Sequence, residues 1–163
     1  MLIVYGLVIM AIIQDFKAMR ISNRLILLGM GIALMRRILC EGIMGVFTGC
    51  ILISIPVILL YLLFLAGVLG AGDIKLFSLI GGFVNFKVLI WCMVYSFLWA
   101  AVFSLMKMLY YGIFVAGMKM AMNYLRALME GKVHAYVAMG DKYKIHFSVV
   151  ILLGLFTAHW LKW

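Results

Sequence analysis

Long apolar runs separated by short basic clusters set the pattern of this chain. The first run is Leu2 to Gln14, extended through Phe16 toward Met19. The second is Ile21 to Met35, closed by Arg36 and Arg37. Gly42 to Gly70 holds no charged residue, and Pro56 within it is expected to kink or split the helix, because proline lacks a backbone donor and clashes with the preceding turn. Further runs extend from about Asp73 to Phe86, from Val88 to Met106 and from Ile145 to Leu161. A spanning helix needs about 20 apolar residues, fewer where its ends reach into the interface. The pattern therefore predicts an all-α fold: a polytopic integral membrane helix bundle of six transmembrane helices in one domain, residues 1–163. A membrane β-barrel would instead alternate apolar and polar positions in segments of about ten residues.

One stretch departs from this pattern. Lys107 to Lys144 mixes apolar positions with Lys119, Arg126, Glu130, Lys132, Asp141 and Lys142. Met118 to Met129 reads as an amphipathic helix at the membrane interface or on the cytoplasmic side. Tyr110 to Met118 reads equally as a continuation of the fifth run, which would raise the count to seven.

Composition strengthens the membrane assignment. Hydrophobic residues make up 69% of the chain and charged residues 12%, against roughly half and a quarter in a soluble domain. The net charge is +9, yet the basic residues flank apolar runs. Topology and anionic membrane lipid account for them, and no nucleic-acid partner is expected. With the first loop cytoplasmic, six alternating spans leave ten basic residues inside: Lys17, Arg20, Arg24, Lys75, Lys107, Lys119, Arg126, Lys132, Lys142 and Lys144. Four fall outside: Arg36, Arg37, Lys87 and Lys162. The positive-inside rule selects this orientation. Met1 to Ile13 has neither a basic leader region nor a small-residue cleavage site, and reads as a mature helix. Cys40, Cys50 and Cys92 form no CxxC pair, so a zinc site of the usual spacing is not expected. Cys50 and Cys92 read as packing residues.

The orientation puts two of the five acidic residues, Asp15 and Asp73, at the cytoplasmic ends of their spans and at one depth. A carboxylate at such a position is a functional candidate. Asp73 follows two glycines in Gly70-Ala71-Gly72-Asp73-Ile74-Lys75. Glycine permits close backbone approach and positive φ, as an extended substrate segment would need. The competing reading is structural: the glycines end one helix and Asp73 caps the next. Two carboxylates within hydrogen-bond reach share a proton. The ionised one activates water and the protonated one donates to a peptide carbonyl, a chemistry that calls for no metal and no cofactor. Other sites find little support. His134, His146 and His159 show no HExxH spacing, no GxSxG is present, and Glu41, Glu130 and Asp141 read as solvated loop acids.

These residues carry a family likeness. GAGDIK at Gly70 to Lys75 resembles the GxGDxK motif of type IV prepilin peptidases, membrane aspartyl proteases related in motif to preflagellin peptidases and more distantly to presenilin. DFKAMRISN at Asp15 to Asn23 resembles the family's first-aspartate segment, with Ser22 standing where proline is usual. The resemblance implies a catalytic pair, Asp15 and Asp73, a site shaped by Gly70 and Gly72, and supporting roles for Lys75 and Asn23. For Lys75 an interfacial anchor is the competing role. It further implies a prepilin or pilin-like substrate whose short basic leader is removed at the cytoplasmic face of the inner membrane. Longer members carry a cysteine-paired insertion and also N-methylate the product. This chain has no such insertion and resembles the short peptidases of Tad-type pilus systems or the archaeal preflagellin type. The alternative from another class is a non-catalytic assembly or transport subunit with structural aspartates.

Overall fold

The computed structural model describes residues 1–18, 21–110, 122, 123, 126 and 147–161. These form five helices: α1 Leu2–Ala18, α2 Asn23–Leu65, α3 Ala71–Phe83, α4 Phe86–Tyr110 and α5 Phe147–Trp160. No strand occurs among the described residues. The amphipathic stretch after Tyr110 lies outside them apart from Met122, Asn123 and Arg126, as do Glu130, His134, Asp141 and His146.

The second and third predicted spans are the two arms of α2; they part at Gly42, where the third run was expected to begin, and the kink expected at Pro56 is not seen. Backbone dihedrals stay helical through Pro56, which is buried; the non-helical residue is Gly42, at φ 69 and ψ −156. That region is essentially open to glycine alone. The chain reverses there. Arg37 Nη1 donates to Thr48 Oγ1 at 3.4 Å, and a Cβ on Gly49 would lie 3.1 Å from Leu34 Cδ2. In an unbroken helix positions 34 and 49 would be about 22 Å apart. Helix α2 is thus a hairpin of two arms, residues 23–41 and 43–65, about 28 and 34 Å long. Leu65 ends the second arm through Gly67, at φ 70. Val68 N–H donates to Leu63 C=O and Gly67 N–H to Phe64 C=O, both at 3.0 Å, the paired bonds of a Schellman cap.

Arg36 and Arg37 were expected to close a span in an outer loop. Both instead lie within the first arm of α2, where they take the carbonyls left over at the end of α3. Arg37 Nε donates to Gly82 C=O at 2.7 Å and Nη2 to Val84 C=O at 2.8 Å. Arg36 Nη1 donates to Phe83 C=O at 3.3 Å. Arg37 is only 6% exposed, and its charge pairs with Glu41 at 3.2 Å. Glu41 is therefore a paired helical residue rather than a loop acid. Every position from Leu76 to Val84 is buried, as expected of a helix that is apolar on all sides. The hairpin holds α3 between its arms: a Cβ on Gly82 would meet Ala33 of one arm at 2.8 Å and Ile53 of the other at 3.5 Å.

Around this centre, α5 runs antiparallel to α1, with His159 edge-on to Tyr5 at 6.0 Å between ring centroids. It also packs on α4, where Phe147 meets Phe97 at 5.8 Å. Cys92 is buried there, whereas Cys50, expected in packing, is exposed on α2. The exterior is apolar, with Leu2 and Ile43 each 89% exposed. That suits a lipid-facing surface. By length and composition, α2 and the Phe86–Lys107 part of α4 can cross a membrane, with mean hydropathy 2.5 and 2.1. Together with the apolar exterior, they make this a membrane protein. Helix α3 differs from the predicted fourth span. It starts at Ala71, ends at Phe83, and its 13 residues reach about 20 Å, short of the roughly 30 Å hydrocarbon core.

Candidate active site

The last turn of α1 and the first turn of α3 open onto one cavity of ≈ 760 Å³. Asp15 and Asp73 both line it. So do Gly70, Gly72, Lys75 and Asn23, which brings together all six residues singled out in the sequence. Gln14, Lys17, Ala18, Ile21, Ser22 and Ala71 complete the lining.

Asp73 occupies the third position of α3, outside the membrane-spanning segments. Its Oδ2 accepts a hydrogen bond from the Gly70 N–H at 3.2 Å. This is the capping geometry that satisfies a free amide at a helix start, so Asp73 does serve the local structure. The glycines act differently from the sequence expectation. Gly70 is extended, with φ −78 and ψ 149, and Gly72 lies within α3; neither has a positive φ. What Gly70 supplies is space, since a Cβ there would sit 3.1 Å from Asp73 Oδ2. A Cβ on Gly72 would make only ordinary contact, 3.6 Å from Ile21.

Burial pushes the Asp73 carboxyl from 3.8 up to about 6. The Gly70 amide opposes the rise, and the negative charge of Asp15 adds to it. The two carboxyl groups are thus within electrostatic reach of each other across the cavity.

Asp15 is held from the far end of the chain. Ser148 Oγ, on the first turn of α5, donates to Asp15 Oδ2 at 2.6 Å. Two further bonds fasten the rim. Lys75 Nζ donates to Asn23 Oδ1 at 2.8 Å, joining the start of α3 to the start of α2. Ser22 N–H donates to Gln14 Oε1 at 3.0 Å, fixing the turn between α1 and α2. Sequence reasoning missed Ser148, Gln14 and Ser22 as partners. A signal for Ser148 was present, since the topology count sets the start of the last span at the depth of Asp15. Among the described residues no three His, Cys, Asp or Glu side chains converge as metal ligands.

Two carboxyl groups in unlike surroundings, facing one water-accessible cavity, form an arrangement suited to proton transfer on either side of a bound carbonyl. Residues 2–105 match a model of the type IV leader peptidase family. The chain belongs to the type IV leader peptidase family. No curated protein and no solved structure matches it. The matched stretch carries both aspartates and every helix through most of α4. Helix α5, with Ser148, lies beyond it. Family membership makes the chain a peptidase of the leader-cleaving kind, acting on prepilin-like substrates.

Proposed function

We propose that this leader peptidase is a membrane aspartyl endopeptidase in which Asp15 and Asp73 are the catalytic pair. The observation that carries the reading is that both carboxyl groups line one cavity. In this mechanism the ionised member takes a proton from water as the water oxygen bonds to the scissile carbonyl carbon. The protonated member gives its proton to the carbonyl oxygen. When the tetrahedral species collapses, the C–N bond breaks, the proton first taken from water passes to the leaving amine, and the proton given to the carbonyl oxygen returns to the carboxylate that supplied it. Gly70 leaves room for the Asp73 carboxyl, and the bond between Lys75 and Asn23 steadies the rim.

The substrate class is a prepilin or pilin-like protein with a short basic leader, cut where the leader meets a hydrophobic helix. The chain sits in the cytoplasmic membrane as six helical segments, counting the two arms of α2 separately, with the short α3 enclosed between those arms rather than spanning on its own, and the cavity opens to the cytoplasm. The ten-to-four distribution of basic residues supports this orientation. Arg36 and Arg37 bind the end of α3 opposite Asp73, which supports counting them with the outer residues.

The test is cleavage of a co-expressed prepilin by wild type, Asp15→Asn and Asp73→Asn. Each variant is expected to lose cleavage while remaining folded in the membrane. Full processing by either removes the pair. Asp73→Glu is expected to lose most activity, because the added methylene moves the carboxyl away from both Gly70 and the cavity. A purely structural role for the aspartates would leave processing intact in every folded variant, and a non-catalytic assembly subunit would show no processing even as wild type.

A further inference from the structure

Ser148 is fully buried, at 0% exposure, and no part of the family match includes it. Its hydroxyl reaches Asp15 across 133 positions of sequence. The 2.6 Å separation is in the short range typical of a hydroxyl donating to an ionised carboxylate. A donor aimed at a carboxylate oxygen favours the charged form. Asp73 has no such side-chain donor among the described residues. Its partner is the Gly70 amide, and its burial favours the neutral form.

We propose that Ser148 is a positioning residue whose hydroxyl holds Asp15 as the ionised member of the pair. Asp15 is then the base that takes the water proton, and Asp73 is the acid that protonates the scissile carbonyl. The inference rests on the aspartyl reading above and deepens it by dividing the two roles. The other charged groups that line the cavity among the described residues are Lys17 on α1 and Lys75 on α3. From α2 comes the neutral Asn23. Lys75 is bonded to Asn23, and among the described residues neither lysine forms an ion pair with either carboxyl, so they do not separate the two. Ser148 does, because its hydroxyl is spent on one oxygen of one partner.

The experiment uses the full chain in nanodiscs with a prepilin substrate, following kcat/KM against pH for wild type, Ser148→Ala and Ser148→Thr. Loss of the hydroxyl should move the acidic limb upward by about one pH unit. The threonine hydroxyl should restore it. A folded Ser148→Ala enzyme whose acidic limb stays in place overturns the inference. A merely structural role for Ser148 would lower the plateau without moving the limb. Where Ser148→Ala does not fold, Ser148→Cys carries the test: its weaker donor should give a smaller shift in the same direction, and an unmoved limb again overturns the idea. An unmoved acidic limb in a folded, active Ser148→Ala enzyme sinks the Ser148 inference alone. Full cleavage by Asp15→Asn sinks the aspartyl reading itself, and with it the assignment of Asp15 as base.

Discussion

Lys75 Nζ donates to Asn23 Oδ1 at 2.8 Å, tying the first turn of α3 to the first residue of α2 across 52 positions. The bond is exposed, so its contribution is screened and modest. Lys75→Met and Asn23→Ala should each lower cleavage by roughly two- to fivefold. The double variant should be no worse than the poorer single one, because both remove the same bond. A double-mutant cycle on kcat/KM checks this. Additive losses would return Lys75 to the role of interfacial anchor.

The Asp73 carboxyl gives a stability prediction with a definite sign. Its folded value is raised from 3.8 to about 6. Between these values the folded chain binds more protons than the unfolded one, so stability contributed by this group is present below about pH 4 and lost as pH rises through about 6. Asp73→Asn stays neutral and escapes that loss. Its thermal midpoint in detergent should match wild type near pH 4 and exceed it above pH 6. A gap independent of pH would contradict the assignment.

Gly42 isolates a backbone effect. Its φ of 69 and ψ of −156 lie where side chains are strained, yet a Cβ there would meet nothing within 4 Å. Gly42→Ala should therefore destabilise the chain by about 1–3 kcal/mol through conformation alone. Denaturant titration of the detergent-solubilised protein measures it. Gly31→Ala is the control, since a Cβ there also meets nothing and the residue is helical; it should be neutral or slightly stabilising.

Arg37 binds the end of α3 to both arms of the hairpin. Arg37→Met would strand the buried carbonyls of Gly82 and Val84, at a cost of about 2–5 kcal/mol. Arg37→Lys should recover little of it, because one ammonium does not reproduce the planar fork that serves both carbonyls. Unfolding of the purified variants, read by the same titration, gives the comparison.

Much of the molecule was legible in the chain itself. The hydropathy pattern marked α1, α4 and α5 to within a few residues, because an unbroken apolar run in lipid has little choice but to form a helix. The charge count and the two motifs were enough to single out Asp15, Asp73, Gly70, Gly72, Lys75 and Asn23. The glycines were expected to give room and to permit positive φ near Asp73; Gly70 gives room for the Asp73 carboxyl, while positive φ occurs at Gly42 and Gly67, where the chain turns. Pro56 was expected to kink the third run, but that run stays helical, and the dihedrals leave the helix at Gly42, where the run begins.

What the sequence alone determined was local: which stretches are apolar enough to be helical, and which charged residues stand apart from that pattern. What only the tertiary structure decided was pairing over distance. Arg36 and Arg37 read as loop residues until α3 supplied carbonyls for them, and Ser148 was not singled out within its apolar run until α5 packed antiparallel on α1. Hydropathy reports each residue's preference for lipid or water. It carries no record of which polar group another helix will bring within hydrogen-bond distance. That meeting is set by how α3 lies in the hairpin and how α1 and α5 close over it, and it is what brings Asp15 and Asp73 to one cavity.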